Sequence, residues 1–177
     1  MRAVVQRVSR ASVSIHGMEG IDPEEKRSIG WGFVVLLGVC EEDTEEDVEW
    51  LVKKIANLRV FDDQEGVMNR SIKDIGKRTE SIGERTESMA GSGKPSGGEA
   101  LVVSQFTLYA SYKKGNRPSW FRAGSHAHSI PLYEAFCRRL GEEIGKPCKT
   151  GEFGADMKVE LTNDGPVTIC MDTKNKE

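Results

Sequence analysis

Along residues 2–16 apolar and polar side chains alternate with a period of two, which predicts two short strands, Arg2–Val8 and Ala11–His16. Val4, Gln6 and Val8 share one face; Ala3, Val5 and Arg7 share the other. Residues 17–30 lose this pattern and carry Gly17, Gly20 and Pro23, so they read as a loop or an enlarged hairpin tip. Trp31–Val39 is a continuous apolar run broken only by Gly32 and Gly38, the signature of a central strand. The period then changes. Val48, Leu51, Val52, Ile55 and Leu58 form the stripe of an amphipathic helix, with Asp43 or Thr44 as cap and Glu45, Glu46 and Asp47 in its first turn.

Asp62–Gly66 reads as a turn, followed by a short extended piece with Met68 and Asn69. Glu99–Val103 is a second short apolar run and predicts a buried strand. A second helix begins near Ser129 and Pro131, carries Tyr133, Phe136, Cys137, Leu140 and Ile144 as its stripe, and stops at Gly145. Two or three strands close the chain (Cys148–Phe153, Asp156–Thr162 and Val167–Met171), and the polar tail 172–177 reads as frayed. Strands outnumber helices and both helices are amphipathic. The expectation is one α+β domain over residues 1–177, its mixed or antiparallel sheet covered by helices on one side.

Residues 76–98 are poor in apolar side chains, repeat Arg-Thr-Glu-Ser at 78–81 and 85–88, and end in a Gly/Ser-rich linker composition. Such a segment cannot bury enough surface to offset its ordering entropy, so a flexible surface insertion is expected there.

Composition narrows the function classes. Hydrophobic residues make up 37% of the 177 and charged residues 30%, as in ordinary soluble domains. No apolar run approaches the roughly 18 residues a membrane helix requires, and the N-terminal stretch lacks a secretory pattern. Cys40, Cys137, Cys148 and Cys170 are scattered without CxxC or Cys/His spacing. That favours free thiols in a reducing compartment over disulfides or a metal site, and a cytoplasmic location is expected. The net charge of −3 argues against bulk capture of nucleic acid but leaves room for local basic patches. Lys113, Lys114, Arg117 and Arg122 form one candidate; Arg138 with Arg139 forms another.

Candidate chemistry concentrates at Ser104-Gln105-Phe106-Thr107-Leu108-Tyr109-Ala110, where the buried strand breaks into hydroxyl, amide and aromatic side chains. Ser104 and Thr107 could be nucleophiles, yet each would need a base, and no His lies near them in sequence. His126 and His128 read as exposed loop residues. There is no G-x-S-x-G, no H-E-x-x-H and no phosphate-binding G-x-x-x-x-G-K. Backbone N–H groups at a strand end, with the Gln105 amide and two hydroxyls, are nevertheless the parts of an oxyanion site. The competing reading is a strand end whose polar side chains only satisfy a turn. Arg7, on an apolar face, needs an acceptor, and an edge-strand ion pair would supply one. Asn163-Asp164-Gly165-Pro166 is turn chemistry, although Gly165 would also permit close approach of a ligand.

Several stretches together carry a family likeness: Met1–Val8, Val35–Val39, Ser104–Ala110, Asn116–Ser119, Pro131–Glu134, Thr150–Met157 and Asn163–Thr168. In order and content the chain resembles the D-aminoacyl-tRNA deacylases, also called D-tyrosyl-tRNA deacylases. The longer 17–30 and 76–98 segments depart from the pattern. The resemblance implies a homodimer of layered β/β/α fold that hydrolyses D-aminoacyl-tRNA, and glycyl-tRNA as well, to free amino acid and tRNA without metal or other cofactor. It implies a cis Gly165-Pro166 bond inserted into the partner's site, with Arg7 as its anchor. It further implies Ser104, Gln105, Phe106 and Thr107 around the ester, the Phe106 N–H as oxyanion donor, and Phe153 and Met157 near the substrate pocket. A ribose hydroxyl would assist the attacking water. The rivals are an editing deacylase of relaxed chirality, a non-catalytic module for RNA 3′ ends or nucleotides, and a Ser104- or Thr107-dependent esterase.

Overall fold

The computed structural model describes residues 1–75 and 97–176. Of the expected insertion, only Gly97 and Gly98 fall among the described residues. In chain order the elements are β1 (Arg2–His16), β2 (Lys26–Ile29), β3 (Gly32–Gly38), α1 (Glu45–Ala56), β4 (Phe61–Asp62) and β5 (Met68–Arg70). Then follow β6 (Glu99–Ser104), a 3-10 turn (Phe106–Tyr109), α2 (His126–Ile144), β7 (Lys149–Thr150) and β8 (Asp156–Asp172).

The two strands expected in residues 2–16 are one. Antiparallel pairing with β8 runs from Arg2↔Asp172 to His16↔Asp156 and carries β1 through the polar pair Ser9-Arg10, where the register shifts. The 17–30 segment likewise contains a strand, because Lys26–Ile29 pairs with Ser14–Ala11. β3 lies between β1 and β6, antiparallel to the first and parallel to the second. Residues on β3 and β6 are buried on both faces, which explains their unbroken apolar runs.

β2 and β7 stand at opposite ends of the strand order, yet Arg27 joins them by donating to the Thr150 and Gly151 carbonyls at 3.0 and 3.1 Å. The sheet thus curls into a nearly closed barrel. Its interior holds Val8, Ala11, Val13, Ile29, Val34, Leu101 and Val103. The alternate side chains, among them Val5, Phe33, Val35, Leu37, Ala100 and Val102, pack against Leu51, Ile55, Phe136 and Leu140 of the two helices. Each fully buried Val, Leu, Ile or Phe among them contributes roughly 1.5–3 kcal/mol. The outcome is the α+β architecture of sheet layers under a helical layer.

Further details differ from the sequence expectation: Asp156–Asp172 is one strand where two were expected, of Cys148–Phe153 only Lys149–Thr150 is a strand, and His126 and His128, read as loop residues, lie in the first turn of α2. α2 starts at His126, one turn earlier than Ser129, with Ser125 as cap, and includes Pro131. The tail is tied down rather than frayed. Thr173 is buried, its N–H donates to the Met1 carbonyl at 2.9 Å, and the Met1 amino group bonds both Asp43 and Thr173. Lys174 reaches Asp47 at 2.8 Å.

Candidate active site

β6 ends where its parallel pairing with β3 ends, at Leu37↔Ser104. Gln105 still donates its N–H to the Leu37 carbonyl at 2.7 Å, and the chain then tightens into the 3-10 turn, Leu108 N–H bonding the Gln105 carbonyl. Gly38 permits this turn to lie on the strand end: a Cβ there would stand 3.0 Å from the Gln105 carbonyl and 3.1 Å from the Leu108 Cβ. Because the turn starts at Phe106, the N–H groups of Phe106 and Thr107 have no earlier carbonyl to bond, and neither finds an acceptor among the described residues. Two unpartnered donors at the end of a buried strand suit an oxyanion. The Gln105 amide donates to Thr107 Oγ1 at 2.5 Å, which leaves the hydroxyl proton free to donate elsewhere.

None of the three histidines serves Ser104 or Thr107. His16 bonds Ser14, His128 bonds the Asp43 carbonyl, and His126 packs its ring edge-on against Phe153. Cys137 and Cys148 are poorly suited as nucleophiles, because burial pushes their thiols up to about 12. Among the described residues no cluster of His, Cys, Asp or Glu could hold a metal ion.

Phe153 sits at the same end of the sheet, 5.8 Å from the ring of Tyr133, whose hydroxyl donates to the Val102 carbonyl at 2.9 Å. The Met157 thioether lies against Gly151 and packs with the barrel core that includes Val103. Phe153 and Met157 are therefore neighbours of the strand that delivers Ser104.

The other predicted half of the site lies elsewhere. Between Val8↔Asn163 and Gln6↔Thr168 the β1–β8 ladder breaks, and Asp164–Val167 bulges out opposite Arg7 with a cis Gly165-Pro166 bond, both residues exposed. The guanidinium of Arg7 is almost wholly buried. Its Nε donates to the Asp164 carbonyl at 3.1 Å and its Nη1 to the Val60 carbonyl at 2.6 Å, with Asp62 and Asp164 carboxylates each at 3.5 Å. Asn163 braces the bulge from within, accepting from the Val167 N–H at 3.3 Å and donating to Thr168 at 3.0 Å. The expected edge-strand ion pair is corrected: β1 lies between β3 and β8 at this level, and the buried guanidinium serves two backbone carbonyls as well as the carboxylates. Val60 was not legible as a partner, since a backbone carbonyl carries no sequence signal, whereas Asn163, which acts through its side chain, lay inside the turn stretch the sequence had marked.

Within one chain the two halves do not meet. Arg7 is level with Phe33 and Ala100, whereas Ser104 is level with Leu37 and Ala3. Four residues of strand separate those levels, roughly 13 Å, and three strand spacings of roughly 4.8 Å separate β8 from β6.

A family profile described as D-Tyr-tRNA(Tyr) deacylase matches residues 4–172. The chain belongs to this family. It is 55% identical to the D-aminoacyl-tRNA deacylase of Bacteroides thetaiotaomicron and 54% identical to that of Phocaeicola vulgatus, in each case over the whole of both chains. Among solved structures, one titled c-Myc DNA Unwinding Element Binding Protein is 38% identical with a TM-score of 0.75, covering 97% of this chain and 98% of that one. A probable eukaryotic D-amino acid tRNA deacylase, 14% identical with a TM-score of 0.69 over 96% and 97%, shares the fold. As a member of the deacylase family the chain is an aminoacyl-tRNA ester hydrolase, and the fold expected from the resemblance is the fold observed. No described helix is long and apolar enough to cross a membrane.

Proposed function

We propose that this deacylase removes D-amino acids, and glycine, from tRNA by positioning the ester rather than by forming an acyl-enzyme. The observation that carries the reading is the pair of unpartnered Phe106 and Thr107 N–H groups beside Ser104, with no histidine in reach of either hydroxyl. Such a strand end can stabilise the oxyanion of a tetrahedral intermediate while a water, assisted by a ribose hydroxyl of the terminal adenosine, attacks the carbonyl. Collapse of the intermediate breaks the bond to the ribose oxygen, which takes a proton, and releases the free amino acid and tRNA.

In this reading the protein acts as a homodimer, and the Gly165-Pro166 segment of one subunit completes the Ser104–Thr107 site of the other. The separation of the two halves within a single chain, and the exposure of the braced bulge, support that arrangement. The Gly165 and Pro166 carbonyls would accept hydrogen bonds from the substrate's α-amino group. An L side chain would then point into the motif, so selectivity comes from steric rejection; glycine has nothing to reject. Phe153 and Met157 would border the amino-acid side of the pocket, and Arg7 would hold the motif through Asp164.

Deacylation of D-Tyr-tRNA, L-Tyr-tRNA and Gly-tRNA, measured side by side, tests the reading. Hydrolysis of the D and glycyl esters with the L ester spared is expected. Hydrolysis of the L ester would instead indicate relaxed chirality. Binding without turnover of any ester would reduce the protein to a recognition module.

A further inference from the structure

The loop that follows the 3-10 turn is anchored at both ends. Ser111 and Ser119 exchange two backbone hydrogen bonds of 2.9 Å, and the Gly124 N–H returns to the Val39 carbonyl at 2.9 Å. Between these anchors the chain exposes aromatic rings that a soluble domain ordinarily buries: Tyr112 is 76% exposed, Phe121 78% and Trp120 41%. Trp120 folds back onto Phe106 with ring centroids 5.2 Å apart, so the loop is continuous with the oxyanion turn.

Charge is distributed there unlike anywhere else in the chain. Although 28 of the 177 residues are acidic, none occurs between Glu99 and Glu134. The same stretch contains Lys113, Lys114, Arg117 and Arg122, and none of the four makes an ion pair with a described carboxylate. Glu41, which lines the same hollow as Arg122, accepts from the Ser125 N–H and lies 3.9 Å from His128. By contrast, Arg138 and Arg139 are occupied by Glu142, Glu45 and Glu49.

We infer that residues 112–122 form the docking platform for the unpaired 3′ nucleotides that precede the esterified adenosine. Exposed aromatic faces interleaved with unpaired cations are the parts of a single-strand binding surface: rings stack on bases of any identity while Lys and Arg neutralise phosphates. Tyr112 and Phe121 supply the stacking faces, and Lys113, Lys114, Arg117 and Arg122 the phosphate contacts. Trp120, seated on Phe106, couples the platform to the reacting end. The inference rests on the deacylase reading for the placement of the terminal adenosine, but RNA binding can be measured without turnover.

The test compares wild-type protein with Tyr112→Ala/Phe121→Ala and Lys113→Ala/Lys114→Ala double variants. Two uncharged RNA minihelices serve as ligands, one ending in a single-stranded CCA tail and one blunt. Wild type should bind the tailed RNA roughly ten-fold or more tightly than the blunt one, and the aromatic variant should erase that difference. The lysine variant should lower the slope of log affinity against log salt by roughly 0.7 for each phosphate that is no longer neutralised. Hydrolysis of D-tyrosyl-adenosine, which lacks the preceding nucleotides, should be unchanged in both variants. Equal affinity of wild type for the two RNAs, or variants that bind both like wild type, would overturn the inference and leave the patch to a protein partner. So would an equal loss of activity on D-tyrosyl-adenosine and on D-Tyr-tRNA, because the loop would then serve only the catalytic turn. Wild type that prefers the tailed RNA but hydrolyses neither ester would support the platform and sink the deacylase reading instead.

Discussion

The Nε of Arg7 donates to the carbonyl of Asp164 at 3.1 Å, and this bond ties the exposed Gly165-Pro166 bulge to a side chain buried beneath it. The same guanidinium also satisfies the Val60 carbonyl, at the end of the connection from α1 to β4. One buried cation thereby fixes the bulge relative to the helical layer.

Arg7→Ala removes both bonds and leaves two carbonyls to find other partners. A hydrogen bond to a charged group is worth about 1.5–3 kcal/mol, so kcat/KM for D-Tyr-tRNA should fall roughly ten- to hundred-fold, or the D/L ratio should fall by a similar factor. Arg7→Lys keeps the charge but not the fork and should recover only part of the loss. Steady-state kinetics on both esters decide this; unchanged rate and selectivity would remove the anchoring role.

Gly165 is held at φ +119°, a region that L side chains rarely adopt, and a Cβ there would stand 2.9 Å from both Arg7 Nη2 and Val167 Cγ2. Gly165→Ala should therefore cost about 1–3 kcal/mol of stability, a shift of several degrees in Tm, and reduce deacylation. Calorimetry together with the D-Tyr-tRNA assay measures both; a variant equal to wild type in Tm and rate contradicts the close packing of this bulge.

Thr107 accepts a hydrogen bond from Gln105 and meets no base. Thr107→Ala should slow hydrolysis by roughly ten-fold or less, the scale of one polar contact, rather than abolish it. Ser104→Ala should behave likewise. Single-turnover kinetics and intact-mass measurement during turnover provide the check. A trapped acyl-enzyme, or complete loss of rate in a folded variant, would establish a nucleophile.

Acid should loosen the junction between tail and α1. Burial raises the Asp47 carboxyl, but hydrogen bonds from Lys174, Thr173 and the Thr44 N–H outweigh it and hold the group well below its ordinary value of 3.8. A depressed carboxylate contributes its stability in full above the unfolded-state value and loses it as pH falls through the folded one. Denaturation midpoints measured from pH 6 down to pH 2 should therefore drop below about pH 4. Asp47→Asn should be less stable at pH 6 and show a shallower drop; an unaltered acid profile would dismiss the carboxylate's part.

Much of this protein was legible without coordinates. Period-two alternation located β1 and β8, and unbroken apolar runs identified β3 and β6 as strands buried on both faces. The 3.6-residue stripes marked both helices, because each pattern reports directly which side chains must leave water. The residues of Ser104–Thr107 and Gly165–Pro166 stood out for the same local reason: polar or conformationally special groups placed beside buried strands.

What the sequence could not supply was anything decided by pairing across distance. One strand rather than two over 2–16 depends on the β8 ladder carrying β1 past Ser9-Arg10. Arg27 closing the barrel, Val60 receiving Arg7 and Thr173 covering Met1 each involve backbone groups present at every residue, so no side-chain pattern announces them. The separation of the two stretches proposed to share a site is of this kind too. Local chemistry flagged both stretches and the family resemblance joined them, but only the register of β1, β3 and β6 put them at different levels of one sheet, since a strand fixes its residues about 3.3 Å apart and cannot fold its two ends together.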